Sequence, residues 1–266
     1  MLATQRQEQI LATVRLYGAV RVADLVESLD VSDMTVRRDI GELARAGLVR
    51  RVHGGAVDPA AAGRPTDEPG FEAKREWSGP EKLAIARAAH ATVQPGQAIA
   101  LSAGTTTYLL AELVAADVSL RPLTVVTNGV RIAEVLHHAP SPAGLEVILT
   151  GGVRTPSDAL VGPVADAALA SLRVDRTFLG VHGLDAAGLT TPNLAEAATD
   201  RALMASAAAT TVLADHTKWG VVGLARIAPL DEVDALLTDD ALPDEARRRL
   251  ADLPTQLMLA PLGAAQ

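Results

Sequence analysis

Val31-Ser32-Asp33-Met34-Thr35-Val36-Arg37-Arg38-Asp39-Ile40 is the stretch that decides how the first part of the chain folds. Ser32 is a side chain suited to cap a helix N-terminus, and Asp33 behind it places negative charge where the helix dipole favours it. From there Val36, Ile40 and Leu43 recur at helical spacing, and Gly47 supplies a stop. With that stripe turned inward, Thr35, Arg37 and Arg38 project elsewhere from the first two turns.

Two further helical patterns precede it. Ile10, Leu11, Val14 and Tyr17 make the first, which Gly18 ends; Val22, Leu25, Val26 and Leu29 make the second, which ends near Asp30. Helix, short turn and a capped second helix form the arrangement of a helix-turn-helix. Leu48 to Val57 follows and reads as two short strands around Gly54-Gly55, a wing whose Arg50, Arg51 and His53 can lie along a nucleic-acid backbone. An arginine early in such a helix can bond guanine O6 and N7 together, or hold a phosphate. An arbitrary pair of arginines only solvates a helix face. Here Arg37 and Arg38 occupy the reading position of a three-helix-plus-wing frame, which favours groove contact.

Of the 266 residues 48% are hydrophobic and only 2% aromatic, a balance suited to helices and buried parallel strands. There is no cysteine, which excludes a disulfide scaffold, thiolate zinc ligation and a cysteine nucleophile, and which fits a cytoplasmic location. The chain does not start with the basic-then-apolar layout of a signal peptide. Its longest charge-poor stretch, Ala88 to Ala111, is broken by Pro95, Gly96 and Gly104, so no membrane span is expected. The net charge is −8, divided into +1 over residues 1–57 and −9 over residues 58–266. No pair among the six histidines has the spacing of two metal ligands on one helix face, so neither metal nor cofactor is expected.

Residues 58–70 hold three prolines and two glycines and read as a linker between a domain of residues 1–57 and one of residues 71–266. Phe71–Trp77 and Glu81–Val93 read as helices. Short apolar runs then alternate with helical segments. The runs are Ala98–Ser102, Leu123–Thr127, Leu145–Leu149, Arg176–Val181, Thr211–Ala214, Ala235–Thr238 and Gln256–Leu259. The helices between them include Thr105–Ala115, Val130–Leu136, Val164–Leu172 and Leu194–Ala208. This alternation predicts an α/β domain on a mainly parallel sheet, behind an N-terminal winged helix-turn-helix.

Ligands of such sheets bind at the carboxyl ends of the strands. Ser102-Ala103-Gly104-Thr105-Thr106-Thr107 closes the first strand and opens a helix, joining free amides, a close-approach glycine and hydroxyls in an anion cradle. It lacks the lysine and the spacing of a Walker A loop; the plainer reading is a threonine-rich helix cap. Thr127-Asn128-Gly129, Thr150-Gly151-Gly152 and Gly180-Val181-His182-Gly183 end later strands in the same way. Glu196 opens a later helix, and Asp215-His216-Thr217-Lys218 supplies in Lys218 a charge partner for a phosphate or a sugar carboxylate.

The run Ser32-x-x-Thr35-x-Arg37-Arg38-Asp39, with His53-Gly54-Gly55-Ala56 downstream, closely resembles the DNA-binding signature of DeoR-family repressors. The later segments, in their order, resemble that family's sensor domain, which looks like ribose-5-phosphate isomerase. The resemblance implies DNA contact by Ser32, Thr35, Arg37 and Arg38. It assigns a phosphate to Gly104, Thr105 and Thr106, and the sugar side to Asn128, Gly151, Gly152, Gly183, Glu196, Asp215 and Lys218. The chain departs from many relatives at His182, which either narrows the pocket or adds a donor to it. The implied protein is a cytoplasmic homo-oligomer, dimer or tetramer, that represses a sugar-catabolic operon. A phosphorylated sugar would release it from double-stranded operator DNA. Two other readings compete. One is a sugar-phosphate isomerase with Glu196 as general base and Asp185 and Lys218 in support; the other is an architectural protein whose larger domain only oligomerises.

Overall fold

A stripe such as Val36, Ile40 and Leu43 has to be buried against something, and the computed structural model shows against what. It describes residues 3–17, 19–29, 31–52, 55–57, 71 and 78–262. The chain divides into two compact units, Met1–Pro69 and Gly70–Gln266.

In the first unit α1 (Ala3–Tyr17), α2 (Val22–Leu29) and α3 (Asp33–Arg45) enclose a small core of Ile10, Val14, Leu25, Val36, Ile40 and Leu43. Ser32 caps α3 from an extended backbone, and Gly47, with φ at 70°, ends the helix that Arg45 closes. Leu48 N–H reaches Leu43 O at 2.9 Å and Gly47 N–H reaches Ala44 O at 3.0 Å, so the last carbonyls are satisfied in a Schellman turn. The wing strands β2 (Arg50–Val52) and β3 (Gly55–Val57) pair antiparallel. Gly55 lies on the returning strand and not in the turn; His53 and Gly54 lie outside the described residues. A strand too short to show a period, β1 (Ala19–Arg21), adds to the far side of β3, so the wing grows from a three-stranded sheet.

Asp39, the acid of the Arg-Arg-Asp run, points inward. It is buried, pairs with Arg6 of α1 and accepts from Gln7 at 3.3 Å, while Gln7 also donates to Glu42 at 2.7 Å. This clamp ties α1 across α3 and leaves the two arginines before it outside.

The second unit carries a seven-stranded sheet of β4 (Ala98–Leu101), β5 (Leu123–Thr127), β6 (Leu145–Leu149), β9 (Val174–Gly180), β12 (Ala207–Leu213), β14 (Ala235–Asp239) and β15 (Gln256–Ala260). Every neighbouring pair is parallel, in the order β15-β14-β12-β9-β4-β5-β6. These are the seven expected strands. One face packs on α4 (Gly79–His90), α5 (Thr105–Ala116) and α6 (Val130–His137), through Ile85, Leu110, Ile132 and Phe178. The other packs on α7 (Pro163–Ala170), α8 (Leu194–Ser206) and α9 (Asp244–Ala251), through Leu169, Leu203, Val212 and Leu250.

Several elements depart from expectation. Ala207 and Ala208 open β12 instead of closing α8, because Ala207 pairs with Val174 and the sheet overrides the helical bias of alanine. The hairpin of β7 (Val153–Arg154) and β8 (Leu160–Val161), and the antiparallel sheet of β10 (Gly183–Asp185), β11 (Gly188–Thr191) and β13 (Ala225–Ala228), are additions. Of the expected helix at residues 71–77, only Phe71 is described. Among the described residues no helix is long and apolar enough to cross a membrane.

Two glycines let these additions close. A Cβ on Gly183 would lie 2.1 Å from Val221 O, and one on Gly152, where φ is 125°, would lie 2.6 Å from Val161 O. Gly183→Ala should therefore destabilise the second unit by about 1–3 kcal/mol, the range for overpacking a tight contact. Urea denaturation should show this, while Gly79→Ala, whose Cβ meets nothing within 4 Å, should leave the midpoint near that of the parent.

Candidate functional site

On α3 the capping serine is doubly engaged: Ser32 Oγ accepts from Thr35 N–H at 3.3 Å and lies 2.9 Å from Thr35 Oγ1. Arg37 and Arg38 stand clear of the core, with side chains 47% and 81% exposed. Each rests on an acid one turn away, Arg37 on Asp33 at 2.5 Å and Arg38 on Glu42 at 3.4 Å. Such exposed pairs are weak and exchangeable, so both guanidiniums are held extended yet can be taken by a stronger anion. Met34, 80% exposed on the same first turn, presents an apolar side chain that the reading of charges passed over. Arg50 and Arg51 lie on β2, the side chains of both being outside the description, and His53 lies outside the described residues altogether.

The large sheet winds outward from one pair of strands. After β4 the chain lays down β5 and β6 on one side, then returns to place β9 on the other. The connections leave β4 and β9 in opposite directions, so a crevice opens at their carboxyl ends. Ser102 and Gly180 lie there, joined by a 2.8 Å bond from Gly180 N–H to Ser102 Oγ. Gly104, with φ at 148°, turns the chain from β4 into α5 in a conformation open to glycine. Tyr108 N–H donates to Gly104 O at 3.0 Å as the first helical bond, so the amides of Thr105, Thr106 and Thr107 have no helix carbonyl to reach. Asn128, at the end of β5, holds this loop in place. Its Oδ1 accepts from Ala103 N–H at 2.8 Å and its Nδ2 donates to Leu160 O at 3.2 Å.

The opposite wall comes from the small sheet. The segment after the turn His216–Lys218 runs along β10 and β11: Gly220 N–H donates to Leu184 O at 2.8 Å and Gly223 N–H to Thr190 Oγ1 at 2.9 Å. Lys218 and His182, both half-buried, are thus carried on neighbouring segments of that wall. Asp215 is buried and caps the turn, accepting from Thr217 N–H at 3.1 Å. It follows the end of β12, two strands from β4, whose end carries Ser102. Glu196, also buried, sits in the first turn of α8 and accepts from Ser157 Oγ, and from Thr191 Oγ1 at 3.3 Å. Ser157 and Thr191 are hydroxyl partners that the strand-end reading did not single out; Ser157 lies in the Thr155-Pro156-Ser157-Asp158 turn between β7 and β8, where no periodicity marks it. Ser102, Asn128, Gly152, Gly183 and Asp215 are engaged in shaping this rim, and Gly151, with φ at 76°, turns the chain after β6. Thr105 and Thr106 open α5 on the same rim.

Beside the rim His216 Nδ1 lies 2.8 Å from Asp239 Oδ1, and His216 N–H donates to Asp239 Oδ2 at 2.7 Å. The hydrogen bond to Asp239 raises the His216 pKa above 6.5, against the desolvation that lowers it, with further help from the charges of Asp239, Asp215 and Glu81. Burial pushes the Asp239 carboxyl up, but the bonds from His216 outweigh it and the pKa falls below 3.8. The histidine's contribution to stability is therefore complete below about pH 6.5 and is lost as pH rises through its raised folded value. Asp239 contributes above 3.8 and loses that contribution as pH falls through its lowered value. Thermal melts from about pH 5 to about pH 9 should show the parent losing stability on the alkaline side, and His216→Gln should flatten that slope. An unchanged slope would remove the histidine from the account.

Residues 6–60 match the family model of the DeoR-like helix-turn-helix domain, and residues 78–240 match that of the DeoR C terminal sensor domain. The "uncharacterized HTH-type transcriptional regulator YgbI" of Escherichia coli K12 is 34% identical over 98% of this chain and 99% of its own length. The putative aga operon transcriptional repressor of Escherichia coli O157:H7 is 31% identical over 96% of this chain and 93% of its own. A lactose phosphotransferase system repressor of Staphylococcus aureus N315 is 32% identical, covering 88% and 91%. Among solved structures, a D-ribose-5-phosphate isomerase in complex with phospho-erythronic acid shares 15% identity over 52% of each chain with a TM-score of 0.39, a likeness too distant to carry a reading of function. With both of its units matched in order and relatives aligned along nearly its whole length, the chain belongs to the DeoR family of transcriptional regulators.

Proposed function

We propose that the protein is a repressor of a sugar-catabolic operon, released from double-stranded operator DNA by a phosphorylated sugar. The observation that carries this reading is the capped helix α3, which turns Val36, Ile40 and Leu43 inward and holds Arg37 and Arg38 out in its second turn. In a homo-oligomer, two such helices enter successive major grooves of a repeated or palindromic site. Thr35, Arg37 and Arg38 read or hold the DNA, Ser32 fixes the start of the helix against it, and Arg50, Arg51 and His53 of the wing follow the backbone. The protein acts in the cytoplasm, where its operator lies.

In the second unit the Gly104, Thr105 and Thr106 amides take the phosphate, with Ser102 and Asn128 holding the loop. Glu196 accepts sugar hydroxyls, and Gly151, Gly152, His182, Gly183, Asp215 and Lys218 enclose the rest. The competing isomerase reading needs Glu196 to take up a proton. Both of its oxygens already accept hydroxyl hydrogen bonds, from Ser157 and Thr191, which suits recognition of an alcohol. Relatives are named as regulators and repressors.

The test is a gel-shift titration at fixed salt, against the duplex that the parent protein selects from a random library. Arg37→Ala and Arg38→Ala should each weaken binding about 10- to 100-fold with an unchanged melting profile, the loss expected for a base-contacting or phosphate-contacting arginine. Retention equal to the parent's would refute the DNA-reading role of α3.

A further inference from the structure

The side of α3 that faces away from the core carries more than charge. Val36 is wholly buried, and Met34 and Arg38 stand two residues before and after it, each about 160° round the helix. They are therefore the outermost pair on the first two turns, and at i, i+4 spacing their side chains are neighbours on the helix surface. Met34, at 80%, is the most exposed of the large apolar side chains among the described residues. It has no place in the core of its unit, which Ile10, Val14, Leu25, Val36, Ile40 and Leu43 fill. Gly41, two turns further along the same outward side, is equally unexplained by packing. Among residues other than proline glycine favours a helix least, yet a Cβ here would meet nothing within 4 Å, so no contact inside the unit calls for it. The glycine leaves the backbone bare on the outward face, where another surface can approach closely.

We infer that Met34 reads the 5-methyl group of a thymine in the major groove and is a specificity-determining residue of the DNA-reading face. The inference rests on the role of α3 proposed above. In that role the first turn of the helix meets base edges, and Met34 stands on that turn beside Thr35. A thioether has no strong donor or acceptor with which to tell one hydrogen-bonding edge from another. What it can recognise is apolar surface, and the thymine methyl is the apolar group that a base pair offers in this groove. Contact takes both groups out of water, and methionine's three rotatable bonds let it settle against a methyl. Arg38, resting on Glu42 beside it, supplies the polar half of the same face. The bare backbone at Gly41 lets α3 lie deep enough for its first turn to reach the bases.

The test uses the full chain and the duplex that the parent selects from a random library, with each thymine of the site replaced in turn by deoxyuridine. That change removes the methyl and leaves base pairing and the O4 acceptor in place. The parent should lose about 2- to 6-fold in affinity at one thymine position, the range for a buried methyl. Met34→Ala should bind the unmodified duplex more weakly by a similar factor and be insensitive to deoxyuridine at that position, whereas Met34→Leu should keep the sensitivity. Both variants should melt as the parent does, because the side chain lies outside the core. A parent indifferent to every replacement would overturn the inference, and so would a Met34→Ala variant that loses as much as the parent at the same position. An altered melting profile in Met34→Ala would overturn it as well, by giving the side chain a role in the fold. In each of these cases the proposed function still stands if Arg37→Ala and Arg38→Ala weaken binding. A parent that selects no duplex would overturn the function and this inference together.

Discussion

A parallel sheet that grows in both directions from one pair of strands cannot close over the carboxyl ends of that pair. The second unit is built around this constraint. β4 and β9 are held together there by the bond from Gly180 N–H to Ser102 Oγ, and the loop between β4 and α5 is aimed by Asn128. Every other wall of the crevice is a late addition to the sheet: the β7–β8 hairpin, the β10–β11–β13 sheet and the segment behind Lys218. Gly152 and Gly183 let these additions approach one another, as their close contacts show. The start of α5 lies at this end of the sheet, and a helix N-terminus favours an anion, which is the place proposed above for the phosphate.

The first unit solves a different problem, that of presenting cations without burying them. Its core is small, so α1 and α3 are fastened by the Asp39–Arg6 pair as well as by apolar contact. The same run of sequence thus holds two outward charges and one inward charge, a division of labour set by the helical period. Asp39 follows Arg38 by one residue, which turns it about 100° around the helix and into the core. The nearby acids Asp33 and Glu42 keep the arginines ordered while costing little to displace.

Much of this was legible in the residues. The seven strands of the large sheet are short apolar runs bounded by turn chemistry, and buried parallel strands need no more signal than that. Helix α3 was legible because its cap, its stripe and its glycine stop agree. What escaped notice shares one property: it is defined by contacts distant in sequence. β1 is three residues long and exists because β3 offers it an edge. The small sheet and the β7–β8 hairpin carry no period, and Ser157 acquires its partner only when the hairpin folds against α8. The strand-end glycines suggest a ligand-lining rim, and the close contacts of Gly152 and Gly183 give those two a packing role as well. His216 is one histidine among six in the sequence, and its bond to Asp239, 23 residues later, raises its pKa.

The account stands or falls on whether the start of α5 holds an anion. Backbone amide chemical shifts of the intact protein, followed while a panel of sugar phosphates and the corresponding free sugars is added, address this directly. The account predicts that the amides of Gly104, Thr105 and Thr106 move most, and only with the phosphorylated compounds. Perturbation centred elsewhere while these amides stay still, or an equal response to the free sugars, would contradict it.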